Sequence, residues 1–140
     1  METECGGLRR RNEEGWRADQ AAPITAYPSD TLIDVIEKIA RYEVGALVVV
    51  NPSEGGKPVA VISERDVIKA LAMKMPLSTP VEAFMSTRLI TIRPDEDVAK
   101  AADLMINHNI RHLVVVNPDG TLLGMVSIRD VLRELRTHVK

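Results

Sequence analysis

Apolar residues follow two rhythms along this chain, and the whole alternation happens twice. Ile24-Thr25-Ala26, bounded by Pro23 and Pro28, is a short extended piece. Leu32, Ile33, Val35, Ile36, Ile39 and Ala40 then recur at the spacing of one helix face. Ser29 or Asp30 is the expected cap of that helix, and Gly45 its expected break. Ala46-Leu47-Val48-Val49-Val50 is apolar at every position, as in a strand buried on both faces. Asn51 to Lys57 reads as a hairpin loop, Pro58 to Ile62 as the return strand, and Ser63 opens a helix reaching about Met73.

The pattern then starts again. Pro76 to Pro80 reads as a connection, and Val81 to Met85 as a single helical turn. Leu89-Ile90-Thr91-Ile92-Arg93-Pro94 matches the stretch from Pro23 to Pro28, and Asp95 to His108 is an amphipathic helix with Val98, Ala101, Ala102, Met105 and Ile106 inward. Leu113-Val114-Val115-Val116-Asn117-Pro118 repeats Leu47 to Pro52 letter for letter. Asp119-Gly120 is a tighter turn, Leu122 to Val126 returns, and a last helix runs from Ile128 to about Thr137. The chain is thus a tandem duplication of strand, helix, strand, strand, helix. The expected organisation is a tail over 1–20, one repeat over 21–76, a linker over 77–84 and a second repeat over 85–140. The expected fold class is α/β (α+β): two β-α-β-β-α repeats, each too small to bury its own sheet. They would pack sheet on sheet about a pseudo-twofold axis and leave two equivalent clefts.

The candidate chemistry lies where the third strand of each repeat meets its last helix. Ser127-Ile128-Arg129-Asp130 and Ser63-Glu64-Arg65-Asp66 place a hydroxyl, a guanidinium and a carboxylate at a helix start. Ser and Asp three residues apart face the same spot, and the free N–H groups of a helix N-terminus attract anions. Such a set suits a phosphate joined to a diol. The same spelling is also an ordinary capping box, and one copy alone would be read that way. Its recurrence in register favours a ligand role.

Composition narrows the class. Aromatics are only 3%, too few for base-stacking recognition of single strands. Net charge is -2 and nothing basic exceeds Arg9-Arg10-Arg11, so no duplex-binding surface is expected. Cys5 is the single cysteine, so no internal disulfide forms, which fits a reducing cytoplasm. No apolar run has the length of a signal peptide or a membrane span. Trp16, alone in a polar tail, is either an anchor on a hydrophobic groove or simply exposed. His108 is read as a helix C-cap, His112 as a packed polar residue or a ligand contact, and His138 as solvated. The methionines fall at core or connecting positions. No histidine is placed to activate Ser127 and no metal motif is present, so an enzyme is not expected.

At these residues the chain resembles the cystathionine-beta-synthase (CBS) domain family, and the pair resembles a Bateman module. The family motif at the end of the third strand is Gly, apolar, any residue, Ser or Thr, two residues, then Asp or Asn. Gly124, Ser127 and Asp130 match it; Ser63 and Asp66 match with Ala60 in place of the glycine. The resemblance implies an adenine nucleotide (AMP, ADP or ATP) as regulatory ligand, with no catalytic cofactor. It implies a homodimer that modulates a partner protein not named by the sequence; composition and hydropathy, not the resemblance, carry the expectation of no nucleic acid and no membrane. The Asp would take ribose hydroxyls, and the Ser and the charged residue would face the phosphates. One site would join Ser127, Arg129 and Asp130 to Ala22, Ile24, Val44, Gly45 and Ala46. The other would join Ser63, Arg65 and Asp66 to Arg88, Ile90, Ile110, Arg111 and His112. Val48 and Val114 stand where the family often has a proline under the base. The small Gly45-Ala46 pair predicts tighter binding at the Asp130 site. Arg111-His112 would either occlude the other site or reach a longer phosphate chain. An S-adenosyl ligand and a ligand-free interaction module are the alternatives.

Overall fold

A computed structural model describes residues 23–138. The described chain falls into two units, Pro23–Leu89 and the part from Ile90 onward. The tail with Trp16, and Ala22 among the expected site residues, lie outside the described residues.

The first unit runs β1 (Thr25–Ala26), α1 (Leu32–Tyr42), β2 (Ala46–Asn51), a 3-10 turn (Pro52–Glu54), β3 (Lys57–Ser63), α2 (Glu64–Ala72) and a second 3-10 turn (Val81–Ala83). The second runs β4 (Thr91–Ile92), α3 (Val98–His108), β5 (His112–Val116), β6 (Leu122–Ser127) and α4 (Ile128–His138). Each unit has one three-stranded sheet, in the order β1-β2-β3 or β4-β5-β6. The first two strands are parallel and the last two antiparallel in both. The apolar runs are therefore the central strands, as their composition requires. Even the irregularity is duplicated: the register shifts between Val49 and Val50 and again between Val115 and Val116.

Alternation along β2 turns Leu47 and Val49 into a core with Leu32 and Val35 of α1, Ala60 and Ile62 of β3, and Val67 and Ala70 of α2. The second core holds Ile92, Val98, Ala101, Met105, Leu113, Val115, Val126 and Val131. Fully burying each Val, Leu or Ile contributes about 1.5–3 kcal/mol. Ala46, Val48 and Val114, at the alternate positions, are also buried. Val48 and Val114 use their N–H groups as well, donating to the carbonyls of Ile24 at 3.0 Å and Ile90 at 3.2 Å. A proline could not make that bond.

Three expectations are corrected. Thr31, not Ser29 or Asp30, caps α1: its Oγ1 accepts the Asp34 N–H at 3.3 Å while Asp34 Oδ2 accepts the Thr31 N–H at 2.9 Å. The Asp30 carboxylate turns back to accept the Tyr27 N–H at 2.9 Å, with Lys38 Nζ 3.9 Å away. The helix ends at Tyr42 through Glu43, which is left-handed at φ 53°, and Gly45 plays no part in the break. The equivalent C-cap in the second unit is Asn109, also at φ 53°. α3 begins at Val98 with Asp97 as cap, because Arg93 and Glu96 close a turn ahead of it.

The stretch expected as a linker is a strap on the first unit. The carbonyls of Thr79 and Leu77 accept the N–H groups of Leu32 and Ile33 at 2.9 and 3.0 Å, satisfying two of the free donors of α1. Val81 donates to the Asp30 carbonyl at 2.7 Å, and its side chain is fully buried in the first core. Val61 and Ser86 exchange a pair of backbone bonds at 3.0 Å each.

Candidate functional site

β3 and β6 each end on the serine that caps the next helix. In the first unit Asp66 Oδ2 accepts the Ser63 N–H at 2.8 Å and the Ser63 hydroxyl at 3.1 Å, and Ser63 Oγ accepts the Asp66 N–H at 3.2 Å. In the second, the same three bonds between Ser127 and Asp130 measure 2.9, 3.1 and 3.2 Å. Both motifs are thus complete capping boxes, and the structural reading of the spelling is realised in both copies.

The box fixes what remains for a ligand. It consumes Oδ2 of each aspartate, so Oδ1 is the oxygen left to accept a hydroxyl. At Asp66, Oδ1 has no ion-pair partner among the described residues. At Asp130, Oδ1 stands 3.4 Å from Arg133 Nη1, with the Arg133 and Asp130 side chains 59% and 44% exposed. Arg65 and Arg129, one residue before each aspartate, are exposed and able to swing toward an anion. Charge-assisted bonds of this kind are the strong ones available to a phosphate or a diol.

The strand registers decide which expected residues meet within a unit. Ala46 pairs with Ser63, and the Gly45 carbonyl accepts the Glu64 N–H at 3.0 Å. His112 pairs with Ser127, and the Arg111 carbonyl accepts the Ile128 N–H at 2.8 Å. The residues just before the central strand therefore share a sheet end with the capping box of their own repeat. Val44 and Ile110, half-buried, pack against the core of their own units, as do Ile24 and Ile90. Arg88 and Arg111 are exposed and His112 is half-buried. Ala60, which replaces the motif glycine, pairs with Val49 as Gly124 pairs with Val115 and is fully buried.

Arg133 was not among the expected residues. Its signal was the three-residue spacing after Asp130, which puts both on one helix face. The corresponding residue in the first repeat is Lys69. Among the described residues, no group of three or more His, Cys, Asp or Glu side chains is placed to hold a metal ion, and no helix is long and apolar enough to cross a membrane.

Comparison with known proteins places these features. The family model described as "CBS domain" matches residues 20–73 and 81–137. A curated relative, the CBS domain-containing protein CBSX3, mitochondrial, of Arabidopsis thaliana, is 38% identical over 108 residues, covering 74% of this chain and 52% of its own. The chain spans 64%, 56% and 52% of the length of three curated relatives. The CBS domain protein PAE2072 of Pyrobaculum aerophilum, solved complexed with AMP, is 35% identical with a TM-score of 0.78, over 86% of this chain and 98% of that one. The CBS domain pair of protein MJ0100, solved with 5'-methylthioadenosine and S-adenosyl-L-methionine, is 26% identical with a TM-score of 0.78, over 88% of this chain and 98% of that one.

Proposed function

We propose that this chain, which belongs to the CBS domain family, is a regulatory sensor: it binds an adenine nucleotide (AMP, ADP or ATP) and modulates a partner protein. The observation that carries the reading is the duplicated Ser-x-Arg-Asp box, closed by the same three hydrogen bonds in both repeats. The AMP complex of a 35% identical relative supports the choice of ligand. In this reading Oδ1 of Asp66 or Asp130 accepts ribose hydroxyls, and Arg65 or Arg129 offers its fork to the phosphate. Ser63 and Ser127 hold the carboxylates in place, and the remaining partners are those assigned to each motif in the sequence.

The chain acts by binding rather than catalysis. Ligand shifts the balance of two arrangements only by binding one of them better. The active form is a homodimer in the cytoplasm. Exposed apolar residues support the dimer: Ile68 and Leu71 on α2 are 65% and 46% exposed, and Ile128 and Leu132 on α4 are 40% and 59% exposed. An S-adenosyl compound is the second reading, because the MJ0100 pair was solved with S-adenosyl-L-methionine and 5'-methylthioadenosine, and both carry the cis-diol.

Mass spectrometry of small molecules released from the purified, denatured protein tests the reading. A co-purified adenine nucleotide is the expected result, and an S-adenosyl compound supports the second reading. If nothing is released and a panel of adenosine compounds leaves the melting temperature unmoved, the chain is a ligand-free interaction module.

A further inference from the structure

The two aspartates have the same capping geometry and different neighbours. Asp130 Oδ1, the oxygen its box leaves over, is held 3.4 Å from Arg133 Nη1. Asp66 carries Lys69 at the same spacing, and the two form no ion pair. We infer that Arg133 is a latch on the sugar-binding carboxylate of the second repeat, so that a ligand diol competes there with a guanidinium, while Asp66 has no such partner among the described residues. The inference rests on the sensor reading and adds a residue that sets the specificity of one site.

The chemistry follows from which charges each partner brings. A cis-diol is neutral and takes Oδ1 without returning any charge to Arg133. A neutral nucleoside that takes the place of the guanidinium therefore gives up ion-pair energy on entry. The pair is half-exposed, so its grip is modest and screened by salt. Removing it should tighten neutral-nucleoside binding by roughly two- to fivefold, the range that exposed ion pairs span. This acts against the tighter binding that Gly45 and Ala46 suggest for the Asp130 site. Because the ligand is uncharged, any salt dependence of its affinity reports on charges within the protein alone.

The test is calorimetric titration of adenosine into the full chain carrying Asp66→Ala, which isolates the Asp130 site, with and without Arg133→Ala. Arg133→Ala should bind adenosine roughly two- to fivefold tighter and lose the gain in affinity that added salt gives its parent. Arg133→Lys, which keeps the charge, should return toward the parent. Alanine is the best helix former, and circular dichroism checks that the fold is kept. Adenosine affinity unchanged or weakened by Arg133→Ala, with adenosine still bound, overturns the latch and leaves the sensor reading standing. If the parent binds neither adenosine nor AMP, or Asp130→Ala leaves binding unchanged, the sensor reading fails at this site and the latch fails with it; AMP bound by the parent, with adenosine bound by neither the parent nor Arg133→Ala, overturns the latch alone.

Discussion

The hydroxyl of Ser127 lies 3.1 Å from Oδ2 of Asp130 while accepting, at 3.2 Å, the N–H of that same aspartate. One serine thus ties the end of β6 to the first turn of α4, and Ser63 does the same between β3 and α2. In the proposed reading stability and recognition are joined at one carboxylate, because the oxygen that caps and the oxygen offered to a ligand belong to the same group.

Ser63→Ala and Ser127→Ala should therefore each lower unfolding free energy, by about 1 kcal/mol and by similar amounts, since removing a serine cap typically costs that much. Urea unfolding of the two variants checks this. A clear inequality would show that the two boxes are not energetically equivalent despite their matched distances.

Glu43 offers the opposite sign. Its left-handed backbone, φ 53° and ψ 45°, costs an L-residue about 1–2 kcal/mol, and glycine escapes the penalty while Asn relieves part of it. Glu43→Gly should raise stability by about 0.5–1 kcal/mol after the added freedom of the unfolded chain is subtracted. Asn109→Ala, at the equivalent position, should lower it. Denaturant midpoints measure both, and a loss of stability in Glu43→Gly would contradict the account.

Asp34 makes stability depend on acid. Hydrogen bonds from the Thr31 backbone and hydroxyl hold its carboxyl below the ordinary value of 3.8, with a smaller contribution from Lys38, against the opposing pull of desolvation. A carboxylate whose pKa is lower in the folded state contributes stability that is present above 3.8 and is lost as pH falls through the folded value. Asp34→Ala should therefore be less stable than the parent at neutral pH, and the gap should narrow below that range. Thermal unfolding followed from neutral pH into acid checks the sign.

The strap also has a test of its own. Val81 is fully buried in the first core, so Val81→Ala should cost about 2 kcal/mol from lost transfer energy and an unfilled cavity. Replacing exposed Leu77 in the same stretch should cost much less. Equal, negligible effects would mean that the segment is a passive connection.

Much of this architecture is legible in the amino-acid order. Leu47 to Val50 and Leu113 to Val116 can only be central strands, and their letter-for-letter repetition declares the duplication. Ser63-Asp66 and Ser127-Asp130 carry the capping-box spelling, although their recurrence in register favours a ligand role in the sequence. What escaped reading depends on competition between neighbours. Ser29, Asp30 and Thr31 are all able to cap α1, and the choice falls to Thr31 because Asp30 is taken by the Tyr27 turn. Glu43 adopts a conformation its residue type disfavours, which no propensity reveals. The strap looks like a linker because Pro76, Ser78 and Pro80 are loop residues, yet its carbonyls meet donors of α1 far away in sequence. At the candidate site, the residues were visible but the division of labour between Oδ1 and Oδ2 was not.

The most direct measurement is calorimetric titration of AMP into the parent chain, Asp66→Ala, Asp130→Ala and the double variant. The account predicts saturable binding to the parent, loss of one binding event in each single variant, and none in the double variant. Binding that persists unchanged in the double variant, or no binding of AMP or any other adenosine compound to the parent, would contradict it.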